Sequence, residues 1–303
     1  MTIKLFDEIE KYKVPNDLII KDIKWKIILR SILKGKNLMI TGPQGAAKTL
    51  SLIKAAKAFP DRKFFVIPMG ASQDPRATLI GNTHYDNLSG TFFSPSLFVR
   101  AIQTENAIIL LDELSRQHLE ATNILMSPLD YSLRFLRIDE DIDAPTIKVA
   151  KGVSFISTCN VGIQFTSTRL LDRAFKDRFI IIEMDLLKKH EEIKLLESKF
   201  PNVKSKEIEV IANISHEIRE EANSDNPRIN DIISTRTTIE MTEMLDDGFD
   251  LKSVIETLVF PFFSPDGGNE SERTFIKQLV QRYINFDENA NTSTPSFKRS
   301  KPF

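Results

Sequence analysis

A single cysteine, Cys159, stands among the 303 residues. One thiol excludes intrachain disulfides and any zinc or iron–sulfur site built on clustered cysteines, and it suits a reducing compartment. Histidine is scarce as well. His84, His118, His190 and His216 are scattered and form no close pair, which disfavours a metal site built on imidazoles. An excess of either charge is also missing: 41 Lys and Arg stand against 42 Asp and Glu, a net charge of −1, so no global basic field invites nucleic acid. No apolar run approaches the roughly 18–20 residues of a membrane-spanning helix. Lys4, Asp7, Glu8 and Glu10 occupy the stretch where a signal peptide would be apolar, so the expectation is a soluble, cytoplasmic protein. With 11 Gly, 14 Pro and 41% hydrophobic residues, the chain is globular, neither collagenous nor low in complexity.

What is present is an alternating pattern. Short β-branched and aromatic runs at 38–41, 64–67, 107–111, 153–158 and 180–184 are nearly continuous in apolar character, as strands buried on both faces of a parallel sheet require. Between the first two runs, Leu52, Ala55, Ala56 and Phe59 follow the i, i+3, i+4, i+7 rhythm of a helix face, and Pro60 stops it. The fold class expected is α/β: a three-layer αβα core with a parallel sheet over residues 1–185. Beyond it the strand signal ends. Segments 188–200, 207–221, 234–245, 251–260 and 273–284 read as amphipathic helices, so a small all-α lid is expected over 186–285. Residues 286–303, rich in Asn, Ser, Thr and Pro and ending near Lys298, Arg299 and Lys301, are expected to form a flexible tail.

Directly after the first strand comes Gly42-Pro43-Gln44-Gly45-Ala46-Ala47-Lys48-Thr49, followed by Leu50 and the first helix. A glycine-rich turn between strand and helix is the context of a P-loop, in which backbone N–H groups and a helix N-terminus face phosphates. Lys48 would reach the β- and γ-phosphates of ATP, and the Thr49 hydroxyl would hold Mg²⁺. Ala47 stands where the usual pattern has a second glycine. Placed near the first helical turn, it is expected to adopt a negative φ that accepts a methyl group.

Some sixty residues on, Ala107-Ile108-Ile109-Leu110-Leu111 runs into Asp112-Glu113. Core packing does not call for two adjacent carboxylates at the end of a buried strand. Asp112 suits Mg²⁺, directly or through water, and Glu113 suits polarisation of the water that attacks the γ-phosphate.

P-loop and acid pair together resemble the AAA+ ATPases, and within them the MoxR-like and dynein-related group that includes CbbQ, NirQ and GvpN; the resemblance covers residues 15–285. It implies that Asn160, ending Phe155-Ile156-Ser157-Thr158-Cys159-Asn160, matches sensor 1, which orients the attacking water or senses the γ-phosphate. It implies an arginine finger at Arg178, in Leu171-Asp172-Arg173-Ala174-Phe175-Lys176-Asp177-Arg178-Phe179, with Arg173 as the second candidate. Arg236, in Ile233-Ser234-Thr235-Arg236-Thr237, resembles sensor 2 on the lid. A finger acting across subunits implies a homo-oligomer, in this family most often a ring of six.

Two insertions of that group have counterparts here. Residues 79–93, bracketed by Gly81 and Gly90, resemble the helix-2 insert; residues 133–149 resemble the pre-sensor-1 hairpin, with Asp139, Glu140, Asp141 and Asp143 in its turn. No Lys or Arg occurs from Ala77 to Val99, so a nucleic-acid motor of the MCM-like kind is disfavoured, although Arg134, Arg137, Lys148 and Lys151 lie near the base of the second hairpin. Tyr85, Phe92 and Phe93 are candidates to grip a polypeptide. The leading expectation is an Mg²⁺-dependent ATPase ring that remodels, activates or inserts a metal into a separate partner protein; partners of this group frequently carry a von Willebrand factor A-type domain. The alternatives are the nucleic-acid motor and a slow nucleotide-dependent scaffold, the latter motivated by Ala47.

Overall fold

A computed structural model describes residues 5–70, 73–87, 90–139, 146–160 and 171–284. Leu88 and Ser89 of the first hairpin, Glu140, Asp141 and Asp143 of the acidic turn, and the 286–303 tail lie outside the described residues.

The chain begins with α1 (Leu5–Ile9) and α2 (Asp22–Leu33), followed by β1 (Leu38–Gly42), α3 (Lys48–Lys57), β2 (Phe64–Pro68) and α4 (Pro75–Leu79). A hairpin of β3 (Gly81–Asp86) and β4 (Gly90–Pro95) precedes α5 (Leu97–Ile102), β5 (Ile108–Asp112) and α6 (Leu119–Leu129). A second hairpin of β6 (Phe135–Arg137) and β7 (Thr146–Lys148) leads to β8 (Ser154–Asn160), α7 (Arg173–Lys176) and β9 (Ile180–Glu183). Helices α8 (Lys189–Lys199), α9 (Ser205–Ala222), α10 (Thr235–Asp246), α11 (Leu251–Leu258) and α12 (Glu272–Gln281) complete it.

Five strands form one parallel sheet in the order β2-β5-β8-β1-β9. Strand periodicity divides their side chains between two cores. Leu38, Ile40, Ile108, Leu110 and Ile156 face one side, packing against Trp25, Ile28 and Leu29 of α2 and Leu52 and Ala55 of α3. Met39, Ile109, Leu111 and Phe155 face the other, against Phe98 and Ala101 of α5 and Leu125 and Leu129 of α6. Three layers result, as the apolar runs require. Phe155 is fully buried, and truncating such a ring to alanine costs about 3–5 kcal/mol.

Both small hairpins form. His84 lies opposite Phe92 in β3–β4, and Leu136 lies opposite Ile147 in β6–β7. Their base residues differ from expectation in one respect. Arg134, counted with the basic set, adopts φ +48 and donates to the carbonyls of Pro128 (3.4 Å), Gly35 (3.0 Å) and Val153 (2.7 Å) and to Oδ1 of Asn37 (3.3 Å). Burial lowers its pKa, and its charge serves the fold. Arg137 pairs with Asp139 at 2.6 Å.

Chain contacts define two units, one of Met1–Leu195 with Ser234–Arg236, the other of Leu196–Ile233 with Thr237–Phe303. The described residues of the second form helices and their connections. Ile208, Ile211, Ile214 and Ile218 line the buried face of α9, and buried Arg219 donates to the Ile233 carbonyl at 2.7 Å. Among the described residues no helix is long and apolar enough to cross a membrane.

Candidate nucleotide site

Sheet order decides which strand ends meet. β8 lies between β1 and β5, in register Gly42↔Asn160 and Leu111↔Ser157. Counting by two along each strand, Gly42, Asp112, Thr158 and Asn160 fall on the face that carries α3. The carboxyl ends of a parallel sheet are where α/β folds place ligands.

From β1 the chain turns through Gly42, with φ +149; a Cβ there would strike the Met184 carbonyl. Pro43 and Gln44 lead into Gly45, with φ +84, and buried Ala46 ties its N–H to the Pro43 carbonyl at 3.4 Å. Ala47 overturns the expectation of a negative φ: it is left-handed, with φ 54 and ψ 23, at the N-cap of α3. The loop has to reverse there to start the helix, so the geometry of the missing glycine persists with a methyl group in it. Such a residue stores about 1–3 kcal/mol. Leu50, the second residue after Lys48, is 43% exposed.

Lys48 is only 6% exposed and folds back over its own loop, donating to the carbonyls of Gly42 (2.9 Å) and Pro43 (2.7 Å). With three N–H donors, it keeps one for a phosphate oxygen. Burial pushes its pKa down to about 8, against upward pulls from Cys159, Asp112 and Glu113. Cys159 itself is buried, and burial raises its pKa.

Thr49 and Asp112, far apart in sequence, meet: the Thr49 hydroxyl donates to Asp112 Oδ1 at 3.1 Å. The same oxygen accepts a 2.6 Å hydrogen bond from Thr158, whose Oγ1 in turn accepts the Glu113 N–H at 2.9 Å. Thr158 escaped the sequence reading; the one trace of it was a polar residue inside an apolar strand. Glu113 is left-handed too, with φ 55, and its carboxylate lies 3.3 Å from Arg116 with both side chains about half exposed. Gly70 leaves room for it, since a methyl group there would collide with the Glu113 carboxylate.

Asn160 donates its N–H to Ser115 Oγ at 3.1 Å and ends β8 in register with Gly42, the first residue of the loop. Arg178, the expected finger, makes its contacts here within its own chain. It donates to the carbonyls of Met126 (3.0 Å) and Ala174 (2.5 Å) and pairs with Asp130 at 3.2 Å. Arg173, at the start of α7, is exposed. Arg236, in the first turn of α10, is exposed as well.

Magnesium prefers oxygen donors and keeps waters and substrate phosphates alongside one or two carboxylates. The Thr49 hydroxyl and Asp112 carboxylate, 3.1 Å apart beside the glycine-containing loop, fit that donor set. Among the described residues there is no group of three or more His, Cys, Asp or Glu able to hold a metal alone.

Comparison with known proteins gives the family. Residues 37–179 match the family described as AAA domain (dynein-related subfamily). The chain is 32% identical over 220 residues to "Putative chaperone BssE" of Thauera aromatica, covering 72% of each chain. It is 26% identical over 155 residues to "Uncharacterized protein SSP1341" of Staphylococcus saprophyticus, covering 50% of this chain and 56% of that one. A solved structure of a "putative ATPase" from Cytophaga hutchinsonii aligns over 93% of both chains at 18% identity and a TM-score of 0.44. A strand-loop-helix carrying Lys48 and Thr49, an acid pair two strands away and a family match spanning both place this chain among the AAA+ ATPases, with an AAA domain of the dynein-related subfamily.

Proposed function

We propose that this AAA+ ATPase is of the MoxR-like kind: an Mg²⁺-dependent enzyme that hydrolyses ATP to ADP and phosphate in a homo-oligomeric, hexameric ring in the cytoplasm and uses the cycle to remodel or activate a separate client protein. The observation that carries the reading is the shared oxygen of Asp112, which receives the hydroxyls of both Thr49 and Thr158. Core packing needs no carboxylate there, whereas a metal-bound substrate does.

The residues divide the work. Loop N–H groups and the Lys48 ammonium bind the β- and γ-phosphates; Thr49 and Asp112 would hold Mg²⁺, which would supply neutralisation of phosphate charge. Glu113, released from Arg116, orients the attacking water, and Asn160 fixes that water from the neighbouring strand. Arg173 acts from the adjacent subunit on the developing charge, while Arg178 holds α7 in place through the Ala174 carbonyl. Arg236 reports the nucleotide state from the start of α10.

The protein client is supported by the hairpins and by the name of the 32% identical relative, a chaperone. Tyr85 is 73% exposed and Phe92 44%, on a hairpin without Lys or Arg, whereas the fold consumes Arg134 and an ion pair consumes Arg137. A client with a von Willebrand factor A-type domain, and metal insertion as its outcome, belong to this reading. A slow scaffold is the second reading, favoured by the Glu113–Arg116 ion pair and the Ala47 strain.

Steady-state ATPase assays with and without Mg²⁺, on wild type and Glu113→Gln, test the proposal. Mg²⁺-dependent phosphate release that Glu113→Gln abolishes, together with ATP-dependent assembly and client capture by that variant, is expected. Wild type that binds ATP but releases no phosphate above the Glu113→Gln level would leave the scaffold.

A further inference from the structure

We infer that Thr158 is a positioning residue that sets the orientation of the Asp112 carboxylate for magnesium and ties it to the backbone of Glu113, an inference that rests on the Mg²⁺-dependent reading above. A hydroxyl carries one proton and two lone pairs. Here the proton goes to Asp112 Oδ1 at 2.6 Å, and one lone pair receives the Glu113 N–H at 2.9 Å. With Glu113 donating to it, the Thr158 oxygen has its own proton free for the carboxylate, so the polarity of the pair is fixed. The short bond is of the charge-assisted kind.

Placement makes this link hard to replace. Thr158 is 3% exposed, and its branched Cβ in a central strand restricts χ1. Its neighbour Ser157 points the other way and donates to the Leu38 carbonyl at 3.2 Å, so no adjacent hydroxyl substitutes. Thr49, the other donor to Asp112, is the residue expected to turn its hydroxyl towards the metal. Thr158 then remains as the standing donor on Oδ1, leaving Oδ2 for the metal or its water. Because Glu113 is left-handed at φ 55, the anchor on its N–H also fixes where its side chain departs from β5. One hydroxyl thereby sets the metal-binding acid and the water-orienting acid relative to each other.

Thr158→Val keeps the shape and removes the hydroxyl; Thr158→Ser keeps the hydroxyl. Affinity for a fluorescent N-methylanthraniloyl ATP is measured with Mg²⁺ and with EDTA, each substitution being made in the Glu113→Gln background so that turnover does not enter. Thr158→Val is expected to cut the Mg²⁺-dependent gain in affinity by about 10–100-fold, leave the EDTA affinity within about twofold, and lower kcat by a similar factor in the otherwise wild-type enzyme; Thr158→Ser retains most of both. If Thr158→Val keeps the gain and the kcat, or if Thr158→Ser is as impaired as Thr158→Val, the inference is overturned. Should Thr158→Val lose its folded circular dichroism signal, Thr158→Ala compared with Thr158→Ser decides on the same readouts. A parent protein that shows no Mg²⁺-dependent gain removes the metal reading and this inference together, whereas a gain indifferent to Thr158 removes this inference alone.

Discussion

Arg178 and Asp130 form an ion pair 3.2 Å long, with only 20% and 28% of their side chains exposed. The same guanidinium closes on the Met126 and Ala174 carbonyls, so it joins α6 to α7 within one chain. Asn37, ahead of β1, is fastened to the same region through the carbonyls of Leu129 (2.7 Å) and Arg178 (2.9 Å). Arginine is suited to such a role because its planar fork serves several acceptors at once.

The two candidate fingers therefore separate by assay. Arg178→Ala should destabilise the fold by about 2–4 kcal/mol, because a partly buried carboxylate and two carbonyls lose their donor. Arg173→Ala should leave stability within about 0.5 kcal/mol, as exposed positions do, yet lower the ATPase rate of the assembled protein by about 10³-fold or more. Urea unfolding beside ATPase assays on both variants checks this. A stable but inactive Arg178→Ala would return the finger to Arg178.

Ala47→Gly should raise stability. Relief of the left-handed alanine at φ 54 offsets the extra freedom glycine brings to the unfolded chain, for a net gain of about 0.5–1 kcal/mol. ATP affinity should not fall. Ala47→Val, with a branched side chain at the same dihedral, should lose both stability and nucleotide binding. Thermal unfolding with and without ATP reads out each variant.

Arg116→Ala should speed hydrolysis slightly. Glu113 has to leave Arg116 to meet the attacking water, and a half-exposed ion pair at 3.3 Å is worth only about 0.2–1 kcal/mol. The expected rise in kcat is therefore about 1.5- to 5-fold, with stability almost unchanged. A fall in kcat would mean that Arg116 assists the reaction.

Lys48 gives the pH dependence. Its pKa is lowered to about 8, chiefly by burial, from an ordinary 10.5. For a lysine this means that the stability contribution present above pH 10.5 is lost as the pH falls through 8, where the buried amine becomes charged. A bound phosphate favours the charged form, so ATP binding near or above pH 8 should take up a proton, and affinity should weaken as pH rises through that value. Calorimetry in two buffers of different ionisation heat measures the uptake. Lys48→Met should abolish both the uptake and tight binding, while stabilising the nucleotide-free protein at pH 7 by on the order of 1–3 kcal/mol.

Much of the fold was legible because continuous apolar runs mark strands buried on both faces. The expected 38–41, 64–67 and 107–111 appear as Leu38–Gly42, Phe64–Pro68 and Ile108–Asp112. Helical periodicity served equally well at 207–221, where α9 spans Ser205–Ala222. The residue types around Thr49 and Asp112 mark a candidate nucleotide site in the sequence itself, but nothing local marks Thr158. Its role depends on β8 lying beside β5 in a particular register, a pairing between remote segments. The dihedral of Ala47 is not legible locally for a related reason: loop closure between β1 and α3 dictates it, against the residue's own preference. Arg134 looked like a surface cation, and only the packing of Asn37, Gly35 and Val153 around it shows otherwise.

The position of β1 also bears on how this protein is made. Both of its partners in the sheet, β8 and β9, are synthesised long after it. Leu38 and Ile40 must wait for Ile156, Ile180 and Ile182 before their backbone ladder is complete, and such distant pairings fold slowly and leave sticky surfaces exposed meanwhile. On the ribosome, the P-loop therefore emerges well before it can be held in shape. A nascent chain should gain the ability to retain ATP abruptly, once the segment ending at Glu183 has left the exit tunnel.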